Sequence, residues 1–105
     1  MRHGLPVVVL EQAAELGEIG AGMQLGPNAF SALDALGVGG VVRARAVTTE
    51  CLGMHDALDE SLVGRIDTGE AFRRRFGNPY AVVHRADVHG ALLDAVRAAG
   101  GVQLH

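Results

Sequence analysis

Two charged side chains in this sequence stand where recognition chemistry is done. Glu11 closes the apolar run VVVLE, and Arg85 follows the run AVVH. In α/β folds ligands lie outside the carboxyl ends of the strands, so an acid at such an end can accept hydrogen bonds from ribose hydroxyls. A strand that simply returns to solvent can also end in Glu, and the acid alone does not decide between the two. Arg85 falls between an expected strand and an expected helix start, where a guanidinium and backbone N–H groups can jointly face an anion. Taken singly, it also reads as an ordinary surface arginine. Between them lies GEIGAGMQLGPNAF, residues 17–30, with four glycines, one proline and one formal charge. Connections between a strand and a helix are normally short and polar. One this long and this nearly neutral implies contact with something other than water, and glycine lets backbone approach that partner without a side chain between.

These groups need elements to hold them. Pro6 to Leu10 is a continuous β-branched run, which reads as a strand buried on both faces and therefore as part of a parallel sheet. The loop of residues 17–30 leads into a short amphipathic helix that starts at GPN, carries Ala29, Phe30, Leu33 and Leu36 on one face, and ends at Gly37. Further helical turns follow through Val41, Val42 and Arg45. From Glu50 to Asp67 the pattern is a hairpin around the polar turn Ala57 to Ser61. Residues 69–79 form a charged connection. Tyr80 to His84 is a strand, Ala86 to Ala99 a helix with Val88, Leu92, Leu93 and Val96 inward, and Val102 to Leu104 a last strand after Gly100 and Gly101. The class is α/β.

Composition limits what the chain can do. At 105 residues it fits one small domain, with 49% apolar and 20% charged residues, a globular balance. A net charge of -3 and a pI near 5.9 give no general attraction to nucleic acid or to acidic membranes. No apolar run approaches the roughly 18 residues of a membrane span, and Met-Arg-His-Gly opens no signal peptide. The single cysteine, Cys51, excludes an internal disulfide framework and suits the cytoplasm; it reads as a small buried hydrophobe. His84 and His89 are five apart, a poor spacing for one helical face, so no metal site is expected. Arg73, Arg74 and Arg75 read as a solvated face beside Glu70. No Ser/His/Asp arrangement has the context of a hydrolase.

VVVLEQAAELGEIGAGMQLGPNAFSALDALGV, followed by NPYAVVHRADVHGALLDAV, resembles the N-terminal third of the group A flavoprotein monooxygenases, in the branch of salicylate hydroxylase and 3-hydroxybenzoate 6-hydroxylase. The resemblance covers residues 5–105. It implies a partial Rossmann-like FAD-binding domain over residues 1–105, in which Val102 to Leu104 pairs in parallel with Val7 to Val9 and the hairpin belongs to the substrate-side sheet. The glycine fingerprint GxGxxG, which precedes such a strand by about 20 residues, is absent, and so are the downstream DG and GD motifs. The chain thus reads as a segment of a longer enzyme.

The resemblance also assigns roles. It places Glu11 on the ribose and Gln12 on the adenosine. Ala21, Gly22 and Met23 become backbone neighbours of the flavin, Gln24 points toward the ring or substrate, and Arg85 lies on the ribityl-pyrophosphate side. Some relatives carry a basic residue where Gln24 stands, and glutamine cannot take a proton at pH 7, so Gln24 is a lining residue and not a general base. The implied reaction is hydroxylation of an aromatic acid with NAD(P)H and O₂, by way of a flavin C4a-hydroperoxide. Two alternatives accompany it: another flavin oxygenase such as an epoxidase, and a non-catalytic fragment or interaction module that self-associates through an exposed sheet edge.

Overall fold

The computed structural model describes residues 5–15, 17 and 20–105. Its core is built where the helix signals are strongest. Pro27 fixes the first turn of α1 (Pro27–Ala35), and Gly37, at φ +80°, takes the left-handed turn that ends it. The chain then tightens, with Val38 N–H on the Leu33 carbonyl at 3.0 Å, and enters α2 (Gly39–Arg45). Phe30 and Leu33 from α1 and Val42 from α2 are buried. Arg43 clamps the pair. Its Nη1 and Nη2 donate to the two carboxylate oxygens of Asp34 at 2.6 and 2.5 Å, Nη2 donates to Asn78 Oδ1 at 2.6 Å, and the guanidinium lies 5.0 Å from the Phe30 ring centroid. The hydrogen bonds from Arg43 hold the Asp34 carboxyl below the usual carboxylate range.

These helices and α4 (Arg85–Ala99) pack on a three-stranded antiparallel sheet in the order β2 (Gly22–Leu25), β6 (Ala81–His84), β3 (Val47–Thr48). Leu25, Ala81 and Val83 are its buried residues, and Ala91 meets them from α4. The β2–β6 register pairs Gly22 with His84, Met23 with Val83, Gln24 with Val82 and Leu25 with Ala81.

Two smaller sheets extend from this block. β1 (Val7–Val9) and β7 (Val102–Leu104) pair in parallel, Val7 with Val102 and Val9 with Leu104, as the sequence implied. β4 (Cys51–His55) and β5 (Leu62–Asp67) form the expected hairpin, with a bulge between Met54 and His55. Its base is fixed by Thr68, a buried polar residue whose hydroxyl donates to the Thr49 carbonyl at 2.8 Å while its N–H donates to the Glu50 carbonyl at 2.9 Å.

The structure corrects four expectations. The second half of the loop 17–30 is a strand, because Gly22–Leu25 finds a partner in β6. The charged connection 69–79 contains α3 (Glu70–Phe76), capped by Gly77 at φ +74° and carrying an ion pair from Arg74 to Glu70 one turn before it. The β1 run is not buried on both faces: Val7, Val8 and Val9 are 40, 55 and 39% exposed, since β7 covers one edge and no layer covers both sides. Cys51 is exposed, because the hairpin is likewise uncovered. Among the described residues no helix is long and apolar enough to cross a membrane.

Candidate functional site

The glycine-bearing loop closes against the junction of β6 and α4. Arg85 N–H donates to the Ala21 carbonyl at 3.0 Å, extending the β2–β6 ladder by one bond beyond the Gly22–His84 pair. Next to it, the His84 ring fills the space where a side chain at residue 20 would sit: a Cβ on Gly20 would come within 1.6 Å of His84 Cε1. A side chain at residue 20 would therefore have to displace the His84 ring, the end of a movable and exposed side chain. Ala21 and Gly22 are exposed, so this stretch presents backbone to the outside. Met23 and Arg85, with Val88, His89 and Leu92, line a hollow of about 210 Å³ at the start of α4. Of the residues singled out from the sequence, Ala21, Gly22, Met23 and Arg85 are brought together here.

Glu11 and Gln12 stand elsewhere, just past the carboxyl end of β1. The chain there is held to β7 by His105 N–H on the Val9 carbonyl at 3.0 Å and Glu11 N–H on the His105 carbonyl at 2.7 Å. Glu11 Oε1 accepts the Ala13 N–H at 2.9 Å, which turns the carboxylate over the following residues. A carboxylate has acceptor sites on both oxygens, so this bond leaves capacity for hydroxyl donors. Gln12 is exposed. Glu11 shares a hollow of about 480 Å³ with Ala13, Ala14, Glu15, Arg97, Leu104 and His105. Arg97 was not singled out by the sequence reading, since it sits in the last turn of α4 among alanines and looks like a solvated helix residue. Only the parallel pairing of β1 with β7 places that turn beside Glu11.

Gln24 belongs to a third region. The Tyr80 hydroxyl donates to Gln24 Oε1 at 2.7 Å, fixing the amide. Gln24 faces the hairpin across a hollow of about 580 Å³ lined by Cys51, Leu52, Met54, Arg65 and Ile66 among others. Its walls are mostly apolar. Arg65 contributes a cation there, tied to Asp67 at 2.8 Å, which raises its affinity for its proton. Tyr80, which the sequence gives only as the start of a strand, is the residue that holds the Gln24 amide.

No protein-family model matches the sequence. Curated proteins do. The chain is 65% identical over 103 residues to a 3-hydroxybenzoate 6-hydroxylase of Polaromonas naphthalenivorans, covering 98% of this chain and 26% of that protein. It is 58% identical to the Klebsiella oxytoca protein of the same name, over 90% of this chain and 24% of the other. An Aspergillus terreus FAD-dependent monooxygenase is 37% identical over 98% of the chain and 30% of its own length. The chain thus spans about a quarter of the length of these 3-hydroxybenzoate 6-hydroxylases. Among solved structures, 2-methyl-3-hydroxypyridine-5-carboxylic acid oxygenase superposes with a TM-score of 0.79 at 25% identity, covering 99% of this chain and 25% of that one. The p-nitrophenol 4-monooxygenase of Pseudomonas putida superposes at 0.81 with 20% identity, over 99% of this chain and 26% of its own, a likeness of fold.

Proposed function

The chain is related along nearly its whole length to the FAD-dependent aromatic monooxygenases, and from that premise we propose that it forms the part of such an enzyme that holds the flavin dinucleotide. The observation that carries this reading is the seating of the glycine-bearing strand on the β6–α4 junction, with Arg85 N–H on the Ala21 carbonyl at 3.0 Å and the His84 ring in the place of a residue-20 side chain. Such a surface suits a flat cofactor: exposed backbone at Ala21 and Gly22, a guanidinium at Arg85 and the opening turn of a 15-residue helix beside it. The dinucleotide's ribose goes to Glu11, whose carboxylate keeps acceptor capacity, and Gln12 adds an adenosine contact.

When bound, the flavin supplies the activation of O₂ and the delivery of one oxygen atom to the ring, with NAD(P)H as the source of electrons. The residues of this chain bind and orient. Arg85 balances the charge of the pyrophosphate and ribityl side. Gln24, held by Tyr80, presents a neutral amide to the hollow under the hairpin, where an aromatic acid fits between Leu52, Met54 and Ile66. Being neutral, Gln24 positions and moves no proton. The setting is cytoplasmic, in keeping with a single thiol that is exposed.

The test is a segment exchange. Residues 5–105 replace the matching quarter of the Polaromonas protein, and the hybrid is purified with FAD. Retention of FAD through gel filtration, with NAD(P)H oxidation stimulated by 3-hydroxybenzoate, is the expected result. A folded hybrid that holds no flavin contradicts the proposal. A second reading, an interaction module, has one observation in its favour: Leu5, Val8 and Leu10, in β1 or flanking it, are 65, 55 and 78% exposed. It predicts concentration-dependent association of the 105-residue chain in sedimentation equilibrium.

A further inference from the structure

Gly64 stands inside β5 (Leu62–Asp67), where a glycine weakens a strand and has no side chain to pack. The backbone does not require it. The positive φ angles among the described glycines fall at Gly37, Gly77, Gly100 and Gly101, so Gly64 holds a conformation open to other residues. The neighbouring bulge does not require it either: His55 pairs with Leu62 and Met54 with Gly64, which makes Val63 the extra residue. Crowding is no reason, since a Cβ on Gly64 would meet nothing within 4 Å. What the glycine provides is room.

The strand register shows where that room opens. Leu52 pairs with Ile66 and Met54 with Gly64, and residues directly opposite, or two apart along a strand, share a face. Leu52, Met54, Gly64 and Ile66 therefore form one face of the hairpin. All four line the hollow of about 580 Å³ that Gln24 borders from the other side. Three apolar side chains thus surround a gap at which a planar ring can lie against bare backbone. Opposite it, the Gln24 amide held by Tyr80 supplies a polar end. Resting on the aromatic-monooxygenase reading above, we infer that Gly64 is a specificity-determining residue, which receives the apolar edge of the substrate ring and sets how large a ring the hollow admits. The polar groups of the aromatic acid then turn toward Gln24.

The experiment uses the hybrid enzyme with bound FAD, unsubstituted and as Gly64→Ala and Gly64→Val. Each is titrated with 3-hydroxybenzoate, the dissociation constant is read from the change in flavin absorbance, and FAD affinity and the urea midpoint are measured alongside. Gly64→Ala is expected to weaken 3-hydroxybenzoate by about tenfold, the scale of one methylene in an apolar pocket, and Gly64→Val by more. FAD affinity should not change. The urea midpoint should stay or rise, because alanine and valine both suit a strand interior better than glycine. Weaker substrate binding in an enzyme no less stable is the mark of filled space. If valine is not tolerated, alanine alone decides. Unchanged 3-hydroxybenzoate affinity in both variants overturns the role of Gly64 and leaves the reading beneath it standing. A loss matched by an equal fall in FAD affinity overturns it in favour of a distorted hairpin. An unsubstituted hybrid that retains FAD but shows no response to 3-hydroxybenzoate overturns both the inference and the placing of the substrate under the hairpin.

Discussion

The block around β2–β6–β3 and the pair of outlying sheets obey different rules. In the block, Phe30, Val42 and Ala81 are fully buried, and polar contacts such as Arg43 to Asp34 and Asn78 cross between elements. In the β1–β7 pair and the β4–β5 hairpin, side chains as apolar as Val8, Met54, Val63 and Ile66 are more than half exposed. The residues proposed to meet ligands lie at the margins between the two: Arg85 and Gly20 at one end of the β6 strand, Glu11 past β1, Gln24 facing the hairpin. The block supplies rigidity and the outlying sheets supply surface. In the proposed function, ligand groups are held by the first and covered by the second.

The largest effect should come from breaking the block. Phe30→Ala removes a fully buried ring beneath the Arg43 guanidinium, at an expected cost of about 3–5 kcal/mol. A chain this small has little more than that to lose, so Phe30→Ala is expected to be largely unfolded by circular dichroism and urea titration. Val8→Ala on β1 should shift the urea midpoint far less. Equal losses at the two positions would erase the distinction between block and outlying sheets.

Next in size is Glu11→Ala in the hybrid enzyme. A hydrogen bond to a charged acceptor contributes about 1.5–3 kcal/mol, so FAD affinity should fall roughly 10- to 150-fold. Turnover should recover at saturating FAD, because in the proposed site the acid meets the ribose, far from the reacting ring. Unaltered affinity would remove Glu11 from the site.

The two loop glycines give a sharper comparison at smaller cost. A methyl at Gly20 meets the His84 ring at 1.6 Å, whereas one at Gly17 meets nothing within 4 Å. Gly20→Ala should displace His84 and lower FAD affinity of the hybrid measurably, and Gly17→Ala should not. Because an imidazole can rotate away, His84→Ala in the Gly20→Ala background should restore part of the loss; independent effects of the two substitutions would deny the contact.

How much of this could be read from the residues differs by element, and the differences have physical causes. α1 was legible because Pro27, the spacing of Phe30 and Leu33, and Gly37 all agree. The parallel β1–β7 pair followed from the resemblance and a β-branched run. β2 was hidden: GMQL has weak strand propensity, and only the Ala81–His84 partner makes it a strand. α3 was hidden by its charge, although Phe72 and Phe76, four apart, and Gly77 just beyond them were present in the sequence; the two rings meet tilted, with centroids 4.6 Å apart, and Gly77 caps the end. For the site, Glu11, Ala21 to Met23, Gln24 and Arg85 could be named from the sequence, but not that they fall into three regions. Arg97 and Tyr80 could not be named, because only tertiary pairing puts them beside Glu11 and Gln24.

The smallest expected effect is a pH dependence inside the block. Asp34 is held below the usual carboxylate range by Arg43, so its folded form is the more acidic one. The stability this gives is present above the ordinary aspartate range and is lost as pH falls toward the lowered value. Asp34→Asn should therefore flatten the acid limb of the urea midpoint against pH while leaving the midpoint above neutrality only slightly lower. An acid limb unchanged in Asp34→Asn would assign it to other carboxylates.

The claim at the centre of this account is that the β6–α4 junction orients a flavin, and Arg85 tests it most directly. In the hybrid enzyme at saturating FAD, Arg85→Ala should leave a defect that added cofactor does not repair, because the guanidinium fixes the flavin's position as well as its affinity. The measurement is hydrogen peroxide released per NAD(P)H consumed in the presence of 3-hydroxybenzoate. A clear rise over the unsubstituted hybrid, with Glu11→Ala showing none, is the expected result. Full recovery of Arg85→Ala with excess FAD and no added peroxide would contradict the claim.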